Sequence, residues 1–142
     1  MVIEGNEIKA VVVMDYLDKP SPYSNNIYPT EVVQKAIDVY NAQDVKFGTL
    51  KLQNYIPTVD AIPIDQISHK INNLRIEGNR LLADITILEK LEQGALLKAL
   101  IENGHSPNFR CGGYGMIADG TVTDYTLVQI TAVKQEDEDQ NG

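Results

Sequence analysis

Cysteine is nearly missing from this chain: Cys111 stands alone among 142 residues. No intramolecular disulfide is available, so the fold must stand on its core, and a reducing compartment suits it. Tryptophan is absent and histidine is limited to His69 and His105. A sequence this poor in thiols and imidazoles offers no cluster at metal-ligand spacing, and no cofactor is expected. Basic residues are also scarce, with 12 Lys and Arg against 20 Asp and Glu and a net charge of -8. A polyanion-binding groove needs the opposite balance, so nucleic acid is not an expected partner. Long apolar runs are lacking too. The longest, Ala10 to Met14, falls far short of the roughly 20 residues that span a bilayer, and no charged-then-apolar leader is seen at Met1. No membrane association is expected.

What is present suits one ordinary domain. A chain of this length with 43% hydrophobic residues can bury a single core. The expected domain covers 1–133, and the acidic run Glu136-Asp137-Glu138-Asp139 places a solvated, disordered tail over 134–142.

The β-branched run from Ile8 to Met14 reads as a buried strand. Two prolines with Ser and Asn make 19–26 an exposed loop. Thr30 is positioned to cap a helix with Glu31 in its first turn and Val33, Ala36, Ile37 and Tyr40 on one face, ending near Asn41. A second strand is expected over Lys46 to Leu52, followed by a long irregular connection around Pro57 and Pro63. Glu77-Gly78-Asn79 reverses the chain between strands at Ile67–Ile76 and Arg80–Leu88. Leu91, Ala95, Leu96, Ala99 and Leu100 fall at helical spacing, so a second helix is expected from about Glu89 to Glu102, with Asn103-Gly104 as its stop. Asp119-Gly120 then joins two last strands, Asn108–Met116 and Thr121–Val133. These elements predict an α+β fold: a curved or closed, mainly antiparallel, barrel-like sheet with two main outer helices.

Several local motifs sit in this order. They are Asn26-Ile27-Tyr28-Pro29 before the first helix, Gly48-Thr49-Leu50, and Arg75-Ile76-Glu77-Gly78-Asn79 leading into Leu81-Leu82-Ala83-Asp84. Cys111-Gly112-Gly113-Tyr114 is similar to a Ser-x-Gly-aromatic nucleophile strand, and Leu127-Val128-Gln129-Ile130-Thr131 to a Leu-x-Glu-hydrophobic-Ser strand. Together they resemble the prohead maturation proteases of tailed phages, related in fold to the herpesvirus assemblins, over roughly Ile8 to Val133.

The resemblance implies a serine nucleophile, an activating histidine and an orienting third residue. All three positions are altered here. The histidine position reads Leu52, which cannot accept a proton. The serine position carries Cys111, and the acidic position carries Gln129, a neutral amide unable to stabilise an imidazolium by charge. Arg110 replaces a small residue before the nucleophile position, and its bulk and charge suit either occlusion of a cleft or a surface ion pair.

Two readings of Cys111 stand side by side: an inert packed side chain, or a nucleophile served by His105, six residues before it, or by a histidine of a neighbouring subunit. His69 alternates with Ile67 and Ile71 and reads as a partly buried ring satisfied by a backbone carbonyl. Gly112, Gly113 and Gly115 lack the Lys-Ser or Lys-Thr of a phosphate loop.

The resemblance with its altered site implies a capsid-associated auxiliary, decoration or assembly protein on an inactive protease fold. Its partners would be the major capsid protein or other virion proteins, with a homo-oligomer as a further option, in the virion or the host cytoplasm. The alternative is an active, divergent maturation peptidase using Cys111.

Overall fold

The computed structural model describes residues 3–51 and 64–133. Its elements are β1 (Glu7–Met14), α1 (Thr30–Asn41), β2 (Phe47–Lys51), a 3-10 turn (Ile64–Gln66), β3 (Ile67–Glu77), β4 (Arg80–Ile87), α2 (Glu92–Glu102), β5 (Asn108–Ala118) and β6 (Thr121–Val133). The expected strands and helices are therefore all found. The expected acidic tail, Leu52 and the connection around Pro57 lie outside the described residues.

All six strands form one sheet in the order β1-β4-β3-β2-β6-β5. Four pairings are antiparallel; β2 and β6 run parallel, through Leu50–Ala132 and Lys51–Val133. The sheet curls so that its edge strands, β1 and β5, approach each other. Among the described residues no backbone hydrogen bond joins them. A closed barrel is thus not what forms. A cleft of about 240 Å³ lies at the seam, lined by Val12 to Tyr16, Tyr23 and Asn108 to Arg110.

The motif residues explain parts of this curvature. β1 shifts register between Ile8 and Val11, and Ala10 at that shift takes φ 53°. Its amide is held by Asp84, whose Oδ1 accepts it at 2.9 Å, while Arg75 lies 3.4 Å from the same oxygen. The Ala10 amide and the Arg75 guanidinium hold the Asp84 carboxyl below the ordinary carboxylate range. A bulge of this kind bends an edge strand and increases its twist.

Helix α1 buries Val33, Ala36, Ile37 and Tyr40, the face its spacing predicts. Its cap is not the expected one. Thr30 lies within the first turn, and Asp18 in the preceding loop accepts both the Thr30 amide at 2.8 Å and its hydroxyl at 2.6 Å. A carboxylate reaching back from the loop satisfies an otherwise orphan helix donor and complements the positive end of the dipole.

Helix α2 differs more. It begins at Glu92, after a turn closed by the Leu91 amide on the Leu88 carbonyl at 3.0 Å. Its buried face is Gly94, Leu97 and Ile101, while Leu96 is exposed. Gly94 decides this orientation. A Cβ there would overlap the Leu88 carbonyl, so the glycine face is the one able to approach the sheet closely.

One core results, with Val33 and Tyr40 of α1, Leu97 of α2, and Ile71, Ile85 and Ile130 of the sheet among its most buried members. Each such aliphatic side chain contributes roughly 1.5–3 kcal/mol relative to exposure.

Candidate functional site

The candidate site lies where β5 and β6 pair. Cys111 stands opposite Ile130, and Gly112 opposite Gln129. Neighbouring residues of a strand point to opposite faces, so Cys111 and Gln129 project from opposite sides of the sheet. Cys111 packs against the hydrophobic core. Gln129 is buried on the other face, where the Thr49 hydroxyl of β2 donates to its Oε1 at 3.0 Å. The pairing that brings the two strands together keeps these two side chains apart.

The thiol sits among tyrosines. Tyr16, Tyr28 and Tyr40 are each near enough that a charge on Cys111 would disfavour their own ionisation, although burial is the larger cause holding all three phenols above their ordinary value. Tyr125 lies across Gly113, two residues beyond Cys111, with its hydroxyl 2.7 Å from where a Cβ would be. The rings continue edge to face: Tyr28 to Tyr125 with centroids 5.8 Å apart, Tyr16 to Tyr28 at 6.0 Å, and Tyr16 to Tyr23 at 6.0 Å. Tyr23 in turn lies beneath the Arg110 guanidinium, 4.3 Å from its centroid.

The connection between β1 and α1, which contains the proline-rich loop, supplies three of these rings, Tyr16, Tyr23 and Tyr28. It is anchored by fully buried Leu17, by the Ile27 amide on the Gly120 carbonyl, and by the Val122 amide on Ile27, both at 2.8 Å. As expected the loop is mostly exposed, yet Ser21 within it is buried.

Burial pushes the Cys111 thiol up to about 12. At neutral pH the group is therefore a neutral thiol, and the nucleophilic form is scarce. Neither histidine relieves this. His105 is exposed in the turn after α2, its amide bonded to the Leu100 carbonyl at 3.0 Å, and burial is the cause of the Cys111 shift.

His69 is wholly buried and both its nitrogens are engaged. Nε2 lies 2.8 Å from the Ile130 carbonyl and Nδ1 lies 2.7 Å from the Ser68 hydroxyl. A carbonyl only accepts, so Nε2 carries the proton and Nδ1 accepts from Ser68. Burial lowers the imidazole to about 4, which keeps it neutral. To reach β6 from β3, the ring crosses β2 above Gly48, whose Cβ would overlap both His69 Nε2 and the Ile130 carbonyl. The carbonyl-satisfied histidine expected from the alternation is found, and Gly48 is what makes room for it.

No protein-family model and no curated protein matches the chain. Among solved structures, the bacteriophage T4 capsid assembly protease, gp21, superposes with a TM-score of 0.68 at 21% identity, covering 92% of this chain and 91% of that one.

The fold is that of a prohead protease. At this identity the likeness concerns architecture, and chemistry has to be argued from the site.

Within the prohead-protease fold, the expected site residues divide clearly. Cys111 and Gln129 lie on neighbouring strands but on opposite faces, His105 is exposed in the turn after α2, and Leu52 lies outside the described residues. The crossing of β2 by His69 went unread in the sequence, as did the joining of Tyr40 and Tyr125 to the clustered Tyr16, Tyr23 and Tyr28. Each pairs a large ring with a glycine on the adjacent strand, and that signal emerges only once the strand register is known.

Proposed function

We propose that this chain is a capsid-associated protein that uses the prohead-protease fold as a binding module, with its peptidase chemistry lost. The major capsid protein or another virion protein is the partner this reading assigns, in an auxiliary, decoration or assembly role.

The observation that carries the reading is the state of Cys111. A cysteine nucleophile needs a lowered pKa or an adjacent base. This thiol is raised by burial, the buried His69 has both ring nitrogens engaged by Ser68 and Ile130, and His105 is exposed in the turn after α2. The fold likeness to a phage capsid assembly protease supports the capsid setting.

Quantitative mass spectrometry of purified particles and assembly intermediates tests the reading, alongside particles carrying Cys111→Ala. Expected are stoichiometric copies of the chain and unaltered processing of capsid proteins in the variant. Absence from both particles and intermediates would sink the proposal, and so would loss of processing in Cys111→Ala.

A further inference from the structure

The distal half of β5 presents an unprotected sheet edge. β5 ends the strand order and pairs only with β6. From Gly113 to Ala118 its outer side receives no backbone hydrogen bond among the described residues. Tyr114, Met116 and Ile117 on this segment are 57%, 67% and 55% exposed.

Free edges are normally blunted by Lys, Pro, an inward charge or a bulge. Between Cys111 and Ala118 there is no proline and no charged residue, in a chain of net charge -8. Both register shifts of the hairpin fall on the other strand. Gly112 faces Gln129 while Gly113 faces Leu127, and Met116 faces Asp124 while Ile117 faces Val122, so the extra residues are Val128 and Thr123 of β6. β5 keeps an uninterrupted outer ladder.

We propose that this edge pairs antiparallel with the same edge of a second copy of the chain, about a two-fold axis at Gly115. The side-chain pattern is self-complementary in that register. Tyr114 of each copy meets Met116 of the other, an aromatic–thioether pair made twice. Gly113 faces Ile117, a small residue against a large one. The absence of charge along the paired segment removes the like-charge penalty that two acidic copies would otherwise meet. At its ends, the Asp119-Gly120 turn of one copy approaches the Arg110 end of the other, where the charges are opposite. A two-fold contact of one surface with itself closes at the dimer. This inference is independent of the capsid reading.

Analytical ultracentrifugation across a concentration series tests it. The full chain is expected to double in mass by roughly 100 μM, a typical strength for a small interface. Met116→Lys, at an exposed site that leaves the fold intact by circular dichroism, is expected to weaken association at least tenfold. Adding Tyr114→Glu to Met116→Lys places an introduced carboxylate opposite an introduced ammonium in this register, and is expected to restore the dimer. A chain that stays monomeric throughout would overturn the proposal. So would growth beyond the dimer, a dimer indifferent to Met116→Lys, or a double variant no better than the single one.

Discussion

Gly48→Ala is expected to destabilise the protein by about 3 kcal/mol, on the order of 10 °C in melting temperature. The new methyl group has nowhere to go: one side is the Ile130 carbonyl and the other is His69 Nε2. Relief requires either separating β2 from β6, which pair through Leu50 and Lys51 and are also joined by the Thr49–Gln129 hydrogen bond, or turning His69 away from its acceptor. The second route leaves a buried donor and a buried acceptor unpaired, at about 1–3 kcal/mol. Urea denaturation at pH 7 measures the effect. A loss below about 0.5 kcal/mol, typical of a surface change, would show that the histidine does not bridge the strands in this way.

The second large effect is a dependence of stability on pH. His69 is lowered by burial to about 4 in the folded chain, against an ordinary value of 6.5. Between those values the unfolded chain binds the proton and the folded one does not. Stability is therefore full above about pH 6.5 and falls as the pH drops toward 4, by about 3 kcal/mol over the whole window. The carboxylates of Asp18, Asp84 and Glu89 are shifted the opposite way for an acid, below their ordinary value. Their contributions are lost only at lower pH, once the unfolded carboxylates begin to protonate. Unfolding free energies at pH 7, 5.5 and 4.5 separate the two. His69→Gln, whose amide can still donate to Ile130, is expected to flatten the slope above pH 4.5; an unchanged slope would mean that another group causes it.

The sequence was most legible where a pattern is local. The β-branched run of β1, the Asp119-Gly120 reversal and the α1 face each follow from spacing or turn chemistry within a dozen residues. Asp119 and Gly120 do adopt the left-handed conformations that such a reversal needs, with φ 52° and 76°. The α1 cap was misread because its acceptor comes from Asp18, twelve residues away. The α2 face was misread because leucines outweighed Gly94 in the spacing, although the glycine decides how near the helix can come to the sheet. Barrel closure was over-read because alternation within strands says nothing about whether the two edges finally bond.

The identities of the candidate residues, Cys111 and Gln129, were legible in the sequence. Their geometry was not. That Cys111 and Gln129 stand on opposite faces follows from the pairing of Cys111 with Ile130 and of Gly112 with Gln129. That the thiol is caged follows from rings contributed by a loop, a helix and β6. Such assemblies leave no periodic trace in any one segment.

The proposed loss of peptidase chemistry turns on an unactivated thiol within the prohead-protease fold, and the reactivity of Cys111 measures it directly. The rate of alkylation by iodoacetamide should be followed from pH 6 to pH 11 in the native protein. With the thiol pushed up to about 12, the rate at pH 7 is expected to be at least roughly a hundredfold below that of a free cysteine, still rising at pH 11 without a plateau. A rate that levels off near neutral pH would reveal an activated thiolate, and would contradict the account by restoring Cys111 as a nucleophile.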